Sequence, residues 1–137
     1  TAIRGCGAWL NGKRLARLGD KRPDEAIISL SMPIQGQLKA IERSTFFRSL
    51  DAITNETAGV RRLGSAALDL AYIGAGRLDG YFEDGLSHYD YAAGKLIAQE
   101  AGALVTSFTG DAPVDGGSLL AGTSPMLFWL KSKLQHR

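Results

Sequence analysis

Two acidic side chains, Glu83 and Asp90, stand close together in the part of the sequence with the strongest chemical potential. Carboxylate oxygens are the hard ligands that Mg²⁺ prefers, but an octahedral magnesium ion also takes water and substrate phosphate oxygens. One pair of carboxylates therefore does not make a metal site. Taken alone, Glu83 at the end of a predicted strand is more typical of a surface charge than of a binding group.

Asp90 is predicted to lie in the first turn of a helix that begins after Ser87 and stops at Gly102. Ser87 and Asp90 have the spacing of an N-cap and N3 pair, so one interpretation is a capping box in which Asp90 returns a hydrogen bond to the backbone of Ser87. The other is that the carboxylate binds a ligand. The apolar residues of this helix are small and recur at helical spacing: Ala92, Ala93, Leu96, Ile97 and Ala101.

A second candidate is the sequence Gly64, Ser65, Ala66, which opens another predicted helix. A glycine followed by a small hydroxyl residue at a helix start leaves backbone N–H groups facing whatever approaches, which suits an anion or a hydroxylated ligand. Plain N-capping by Ser65 is the alternative interpretation.

Several other chemistries lack support. Neither of the two histidines has a second ligand at helical spacing, and there is no Gly-x-Ser-x-Gly elbow and no Walker loop, so nucleophilic catalysis is not indicated. The single cysteine, Cys6, excludes an internal disulfide and suits a reducing compartment, so we expect a cytoplasmic protein. The formal charge of +2 is spread along the chain, and no apolar run reaches membrane-spanning length, so we expect neither direct nucleic-acid binding nor a membrane location.

The elements that must position these residues form one α/β domain. The 137 residues, of which 45% are hydrophobic, suffice for one core. Asn11-Gly12 predicts a hairpin, apolar periodicity predicts an amphipathic helix over residues 37–52, and a last helix is predicted over 125–135. Strands alternate with helices in the second half, which indicates helices packed against a mixed sheet.

Longer motifs connect these pieces. Residues 89–94 and 100–103 read Y-D-Y-A-A-G and E-A-G-A, and this resembles the second signature of the inositol monophosphatase family, W-D-x-A-A-G followed by E-A-G-G. Residues 61–71 and 75–83, R-R-L-G-S-A-A-L-D-L-A and A-G-R-L-D-G-Y-F-E, follow the order and spacing of the C-terminal half of that family. The resemblance covers essentially the whole chain and is closest to the bacterial branch that includes extragenic suppressor proteins. Tyr89 stands where the family usually has Trp, a change that can alter the substrate pocket.

The resemblance implies a layered α/β sandwich of the inositol monophosphatase and sugar phosphatase type. It also implies that Asp90 ligates a catalytic Mg²⁺, that Glu83 binds a substrate hydroxyl, and that Gly64, Ser65 and Ala66 line the substrate ring. The implied activity is Mg²⁺-dependent hydrolysis of a phosphomonoester, foremost inositol monophosphate. Fructose-1,6-bisphosphate, histidinol phosphate and nucleotide phosphates are alternative substrates.

The family's first signature, D-P-[IL]-D-G-T, and an upstream glutamate supply most of the metal ligands in that family, and neither occurs in residues 1–137. We therefore expect these residues to be the C-terminal half of an inositol monophosphatase-like domain, inactive as a phosphatase by themselves. We expect a small phosphorylated polyol as substrate and a homodimer. The alternative is a non-catalytic binding role in RNA polymerase and ribosomal RNA transcription complexes, to which the suppressor-protein branch is linked.

Overall fold

The computed structural model describes residues 1–33 and 36–134, which form eight short strands and four α-helices. The predicted α/β class is confirmed. The strands are β1 (Ala2–Ile3), β2 (Gly7–Leu10), β3 (Lys13–Arg14), β4 (Ile27–Leu30), β5 (Gly59–Arg61), β6 (Gly80–Glu83), β7 (Leu104–Thr106) and β8 (Leu119–Gly122). The helices are α1 (Arg43–Glu56), α2 (Ala66–Gly74), α3 (His88–Glu100) and α4 (Ser124–Leu134).

A five-stranded mixed sheet forms the centre of the fold, in the order β5-β4-β6-β8-β7. Strand β4 runs parallel to both β5 and β6, whereas β8 is antiparallel to β6 and to β7. The carboxyl ends of β4, β5 and β6 therefore meet at one edge of the sheet, which is where open α/β sheets bind ligands.

Alternate residues of the strands face opposite layers of helices. On one face, Phe82 of β6 and Leu120 of β8 pack with buried residues of α1 and α4. On the other face, Tyr81 of β6 and Leu119 of β8 pack with buried residues of α2 and α3. The sheet is therefore a middle layer with an apolar core on each side, as predicted.

The first three strands form a separate antiparallel sheet in the order β1-β2-β3. Asn11 and Gly12, with φ values of 51° and 79°, make the turn between β2 and β3, which confirms the predicted hairpin. The carboxylate of Glu100, at the end of α3, accepts hydrogen bonds from the N–H groups of Gly5 and Gly7 at 3.1 and 2.8 Å. These contacts attach the small sheet to α3.

Both predicted bounds of the first helix are wrong: α1 spans Arg43–Glu56, not residues 37–52. Leu38 and Ile41 have helical spacing and pack against the core, but they do so from a turn. The turn is favoured because the carboxylate of Asp84 accepts hydrogen bonds from the N–H groups of Lys39 and Ala40 at 2.7 and 2.6 Å. These contacts hold residues 39 and 40 against the end of β6, and the chain enters the helix only at Arg43.

The last helix, α4, begins at Ser124 and is described to Leu134, whereas the predicted end at Gln135 lies outside the described residues. No helix in residues 1–33 and 36–134 is long and apolar enough to cross a membrane.

Candidate active site

The residues singled out from the sequence converge on one cleft at the carboxyl ends of the parallel strands. Glu83 is the last residue of β6, and Ser31 directly follows β4. Helices α2 and α3 both begin at the same edge. The cleft has a volume of about 350 Å³ and is lined by Ser31, Gly64, Ser65, Ala66, Glu83, Leu86 and Asp90.

The start of α2 forms one wall of this cleft. Gly64 has a φ of +79°, a conformation that side chains other than hydrogen rarely adopt, and it turns the chain from β5 into the helix. Ser65 is the N-cap, and its hydroxyl accepts a hydrogen bond from the N–H of Leu68 at 3.3 Å. The N-capping interpretation is therefore confirmed. It does not exclude ligand binding, because other first-turn N–H groups have no partner within the helix.

Glu83 lines the cleft, and both of its carboxylate oxygens accept hydrogen bonds. The hydroxyl of Tyr81 donates to Oε1 at 2.6 Å, and the side-chain amide of Gln37 donates to Oε2 at 3.0 Å. Partial burial raises the pKa of Glu83, the two hydrogen bonds oppose this increase, and the nearby charge of Asp90 adds to it. Glu83 is thus a partly desolvated carboxylate whose orientation is fixed by two hydrogen bonds, and it is not a free surface charge.

Behind Glu83 lies a second acidic group, Asp69 of α2, which is buried and accepts a hydrogen bond from the hydroxyl of Ser29 in β4. Burial raises the pKa of Asp69 from 3.8 to about 6, the hydrogen bond from Ser29 opposes the increase, and the charge of Glu83 adds to it. The pKa of the buried Tyr81 phenol is also raised, first by burial and then by the charge of Glu83. The charge of Glu83 therefore adds to the raised pKa of both neighbouring groups.

Asp90 lies in the first turn of α3, on the exposed side of the cleft. Ser87 is the N-cap by its backbone, as predicted, but its side chain makes no capping hydrogen bond, so no capping box is formed. Instead, the carboxylate of Asp115 accepts a hydrogen bond from the N–H of His88 at 2.7 Å. Within the described part of the chain, no hydrogen bond holds the Asp90 carboxylate, which leaves its oxygens open to a ligand.

Close packing of α3 against α2 fixes the position of Asp90 relative to residues 64–66. A Cβ atom on Gly94 would lie 2.7 Å from the carbonyl oxygen of Ala67 and 2.9 Å from Cβ of Leu70. A Cβ atom on Gly74 would lie 2.9 Å from a methyl group of Ile97. The small helix face predicted from the sequence therefore brings the two helix starts together at one cleft.

Sequence reasoning missed three residues that support the site: Gln37, Tyr81 and Asp115. Tyr81 stands two positions before Glu83 on a strand, and residues two apart on a strand share a face of the sheet. The contact between these two side chains could therefore have been predicted from the sequence. Gln37 and Asp115 are separated from their partners by 46 and 27 residues, and no local pattern indicates either contact.

The donor set fits part of a magnesium site. Asp90 offers an unengaged hard oxygen ligand, and Glu83 lines the same cleft. Among residues 1–33 and 36–134, however, no group of three or more acidic, histidine or cysteine side chains is arranged to hold a metal ion. The described residues thus fit as contributors to a metal site and not as its complete ligand set.

Comparison with known proteins is consistent with this geometry. The chain is 43% identical to the protein named Nus factor SuhB of Pseudomonas aeruginosa, over 98% of the chain and 50% of that protein. Identity to the protein named inositol-1-monophosphatase of Mesorhizobium japonicum is 44%, over 89% of the chain and 45% of that protein. The chain thus spans about half the length of the curated relatives it matches.

The fold also matches those of solved structures. The crystal structure of extragenic suppressor protein SuhB from Bartonella henselae superposes with a TM-score of 0.88 at 36% identity, over 98% of this chain and 50% of that one. The structure of inositol monophosphatase from Anabaena gives a TM-score of 0.81 at 30% identity, over 97% of this chain and 52% of that one. The sequence model of the inositol monophosphatase family matches residues 1–132. This chain belongs to the inositol monophosphatase family.

Proposed function

We propose that the protein containing this chain is a Mg²⁺-dependent phosphomonoesterase, with inositol monophosphate as the foremost substrate. The observation that carries the proposal is the convergence of Asp90, Glu83 and residues 64–66 on one cleft at the carboxyl ends of the parallel strands. Family membership and the relative named inositol-1-monophosphatase support it.

Each residue has a role that its environment suits. Asp90 contributes a carboxylate ligand to Mg²⁺, because its oxygens are not engaged by the described residues and it lies at the cleft. When bound, the metal supplies Lewis acidity and lowers the pKa of water. The start of α2 suits an anion or a hydroxylated ligand, because helix N-termini carry partial positive charge and unpaired N–H groups.

Glu83 recognises a hydroxyl group of the polyol. A carboxylate has about four lone-pair sites, and Tyr81 and Gln37 use two of them, so Glu83 can still accept a hydrogen bond from a substrate. Gly64, Ser65 and Ala66 line the ring of the substrate with little bulk. Sugar, histidinol and nucleotide phosphates remain alternative substrates, because hydroxyl recognition by Glu83 does not by itself select inositol.

We further propose that the chain is the C-terminal half of its domain and that the remaining metal ligands come from an N-terminal half with the D-P-[IL]-D-G-T signature. The incomplete ligand set among the described residues supports this division. Purified residues 1–137 should then release no appreciable phosphate from inositol monophosphate, with or without Mg²⁺. A homodimer and a cytoplasmic location are retained as predictions.

The test is to determine the coding sequence upstream of Thr1 and to assay the complete protein beside the chain alone. The proposal expects the first signature upstream and Mg²⁺-dependent phosphate release by the complete protein only. Metal-dependent turnover by the chain alone would overturn the proposed division of ligands. A complete protein without the first signature and without turnover would overturn the proposed activity.

A binding role in transcription complexes is the second candidate, and the observation that favours it is the name Nus factor SuhB borne by relatives that are 42–46% identical. The two roles are separable because the binding role does not need the cleft. Co-purification of the complete protein with RNA polymerase, unchanged when Asp90 is replaced by Asn, would support it. Absence of any complex would count against it.

A further inference from the structure

The segment just before α1 contacts Glu83, which lines the cleft. The side-chain amide of Gln37 donates to Oε2 of Glu83 and to the backbone carbonyl of Asp84, both at 3.0 Å. One side chain thus connects residues 37–41 to the candidate hydroxyl-binding carboxylate. On the other side, the Tyr81 hydroxyl holds Oε1.

Asp84 fastens this segment to the end of β6. The residue is 3% exposed, and its Oδ2 atom accepts hydrogen bonds from the N–H groups of Lys39, Ala40 and Ile41 at 2.7, 2.6 and 3.4 Å. The other oxygen, Oδ1, is buried and has no hydrogen-bond partner among the described residues. The Asp84 carboxylate therefore acts through one oxygen, and all three of its partners are backbone N–H groups of the segment.

Gly85 permits the same approach. It has a φ of +78°, and a Cβ atom at this position would lie 2.3 Å from the carbonyl oxygen of Gln37. Any larger residue would therefore force the backbone of Gln37 to shift. Asp84 and Gly85 thus constrain the position of Gln37 independently, one by hydrogen bonds to the segment and the other by close backbone contact.

We propose that Asp84 is a positioning residue that, through Gln37, fixes the orientation of the Glu83 carboxylate and so sets the geometry of hydroxyl recognition. The inference rests on the proposed role of Glu83 as the hydroxyl acceptor. Asp84 does not itself line the cleft, so it acts only by holding residues 37–41. A merely structural role would lower stability without any specific effect on Glu83.

The variants that test this are Asp84→Leu, Gln37→Ala and the conservative Asp84→Asn. Leucine has the same branched shape, with two methyl groups in place of the carboxylate oxygens, but it accepts no hydrogen bond, so the segment is released. Asparagine keeps an acceptor oxygen for the N–H groups of Lys39 and Ala40, and its amide group takes the place of the unpartnered Oδ1. Gln37→Ala removes the contact to Glu83 directly and leaves Asp84 intact, which covers the case in which Asp84→Leu does not fold.

Two readouts are needed in the complete protein. The first is the titration of Glu83 by carboxyl ¹³C NMR: because the hydrogen bond from Gln37 lowers the pKa of Glu83, its loss should raise that pKa. The second is steady-state kinetics with inositol monophosphate. We expect KM to rise roughly tenfold in Asp84→Leu and Gln37→Ala, as for loss of a hydrogen bond to a charged group, with the Mg²⁺ requirement unchanged. Asp84→Asn should resemble the wild type in both.

The two readouts separate the inference from the function on which it rests. Unchanged Glu83 titration in both Asp84→Leu and Gln37→Ala would overturn the inference, even in an active enzyme. A raised Glu83 pKa in these variants, in a protein without phosphatase activity, would support the positioning of Glu83 and overturn the proposed function. If Asp84→Asn changed the Glu83 pKa and KM as much as Asp84→Leu does, the inference that Asp84 acts through its hydrogen bonds to backbone N–H groups would be overturned.

Discussion

Replacing Gly94 by alanine tests whether helix contact positions the cleft. The added Cβ would meet the Ala67 carbonyl oxygen at 2.7 Å and the Ala67 Cα at 3.0 Å, and these are backbone atoms that cannot rotate away. Because backbone atoms cannot move aside, this overpacking should cost roughly 2–3 kcal/mol, the upper part of the usual range, and the gain of about 1 kcal/mol in helix propensity offsets part of it. We therefore expect Gly94→Ala to lower the free energy of unfolding by about 1–2 kcal/mol.

Urea unfolding monitored by circular dichroism measures this loss, and with typical m-values the midpoint should fall by roughly 0.5–1 M. The matched control is Ala93→Ser, which adds one atom on the exposed side of the same helix and should change stability by no more than about 0.5 kcal/mol. In the complete protein, Gly94→Ala should also reduce turnover, because α3 carries Asp90. An unchanged or higher midpoint for Gly94→Ala would refute the packing argument.

Three further predictions concern charge and surface. Burial raises the pKa of Asp69 from 3.8 to about 6, so its contribution to stability is full below about pH 4 and is lost as the pH rises through 6. Asp69→Asn should remove that decline, and parallel pH profiles for the two proteins would contradict this. In the complete protein, Glu83→Gln should raise KM for a polyol phosphate more than it changes the Mg²⁺ requirement, whereas unaltered kinetic constants would indicate a surface role. The chain alone should self-associate or bind a hydrophobic dye, because Tyr89, Val114 and Phe128 are 96%, 65% and 74% exposed; a monomer without dye binding would argue against this.

The features that could be predicted from the sequence depend on neighbouring residues. The turn at Asn11-Gly12, the cap at Ser65 and the helix stop at Gly102 each follow from the conformational preferences of one or two residues. The alternation of strands and helices likewise determined the layered α/β class. The resemblance grouped five residues, Gly64, Ser65, Ala66, Glu83 and Asp90, and the structure places all five around the same cleft. Ser31 and Leu86 also line this cleft and were not predicted as site residues.

The features that could not be predicted depend on contacts between distant parts of the chain. The start of α1 was misplaced because Asp84, which captures the N–H of Lys39, lies 45 residues later. The capping of α3 by Asp115 and the contact between Gln37 and Glu83 are of the same kind. Periodicity reports which residues are apolar, but it does not report which distant carboxylate will occupy a backbone donor.

The most direct test of the account is Asp90→Asn in the complete protein, measured as phosphate release across a range of Mg²⁺ concentrations. Because no hydrogen bond from the described residues engages the Asp90 carboxylate, asparagine should cost only about 0.3–1 kcal/mol, from the lost charge near the helix N-terminus. Removal of a hard negative ligand should nevertheless cause a large loss of kcat that excess Mg²⁺ restores only in part. A folded Asp90→Asn protein with wild-type turnover at low Mg²⁺ would contradict the assignment of Asp90 to the metal site.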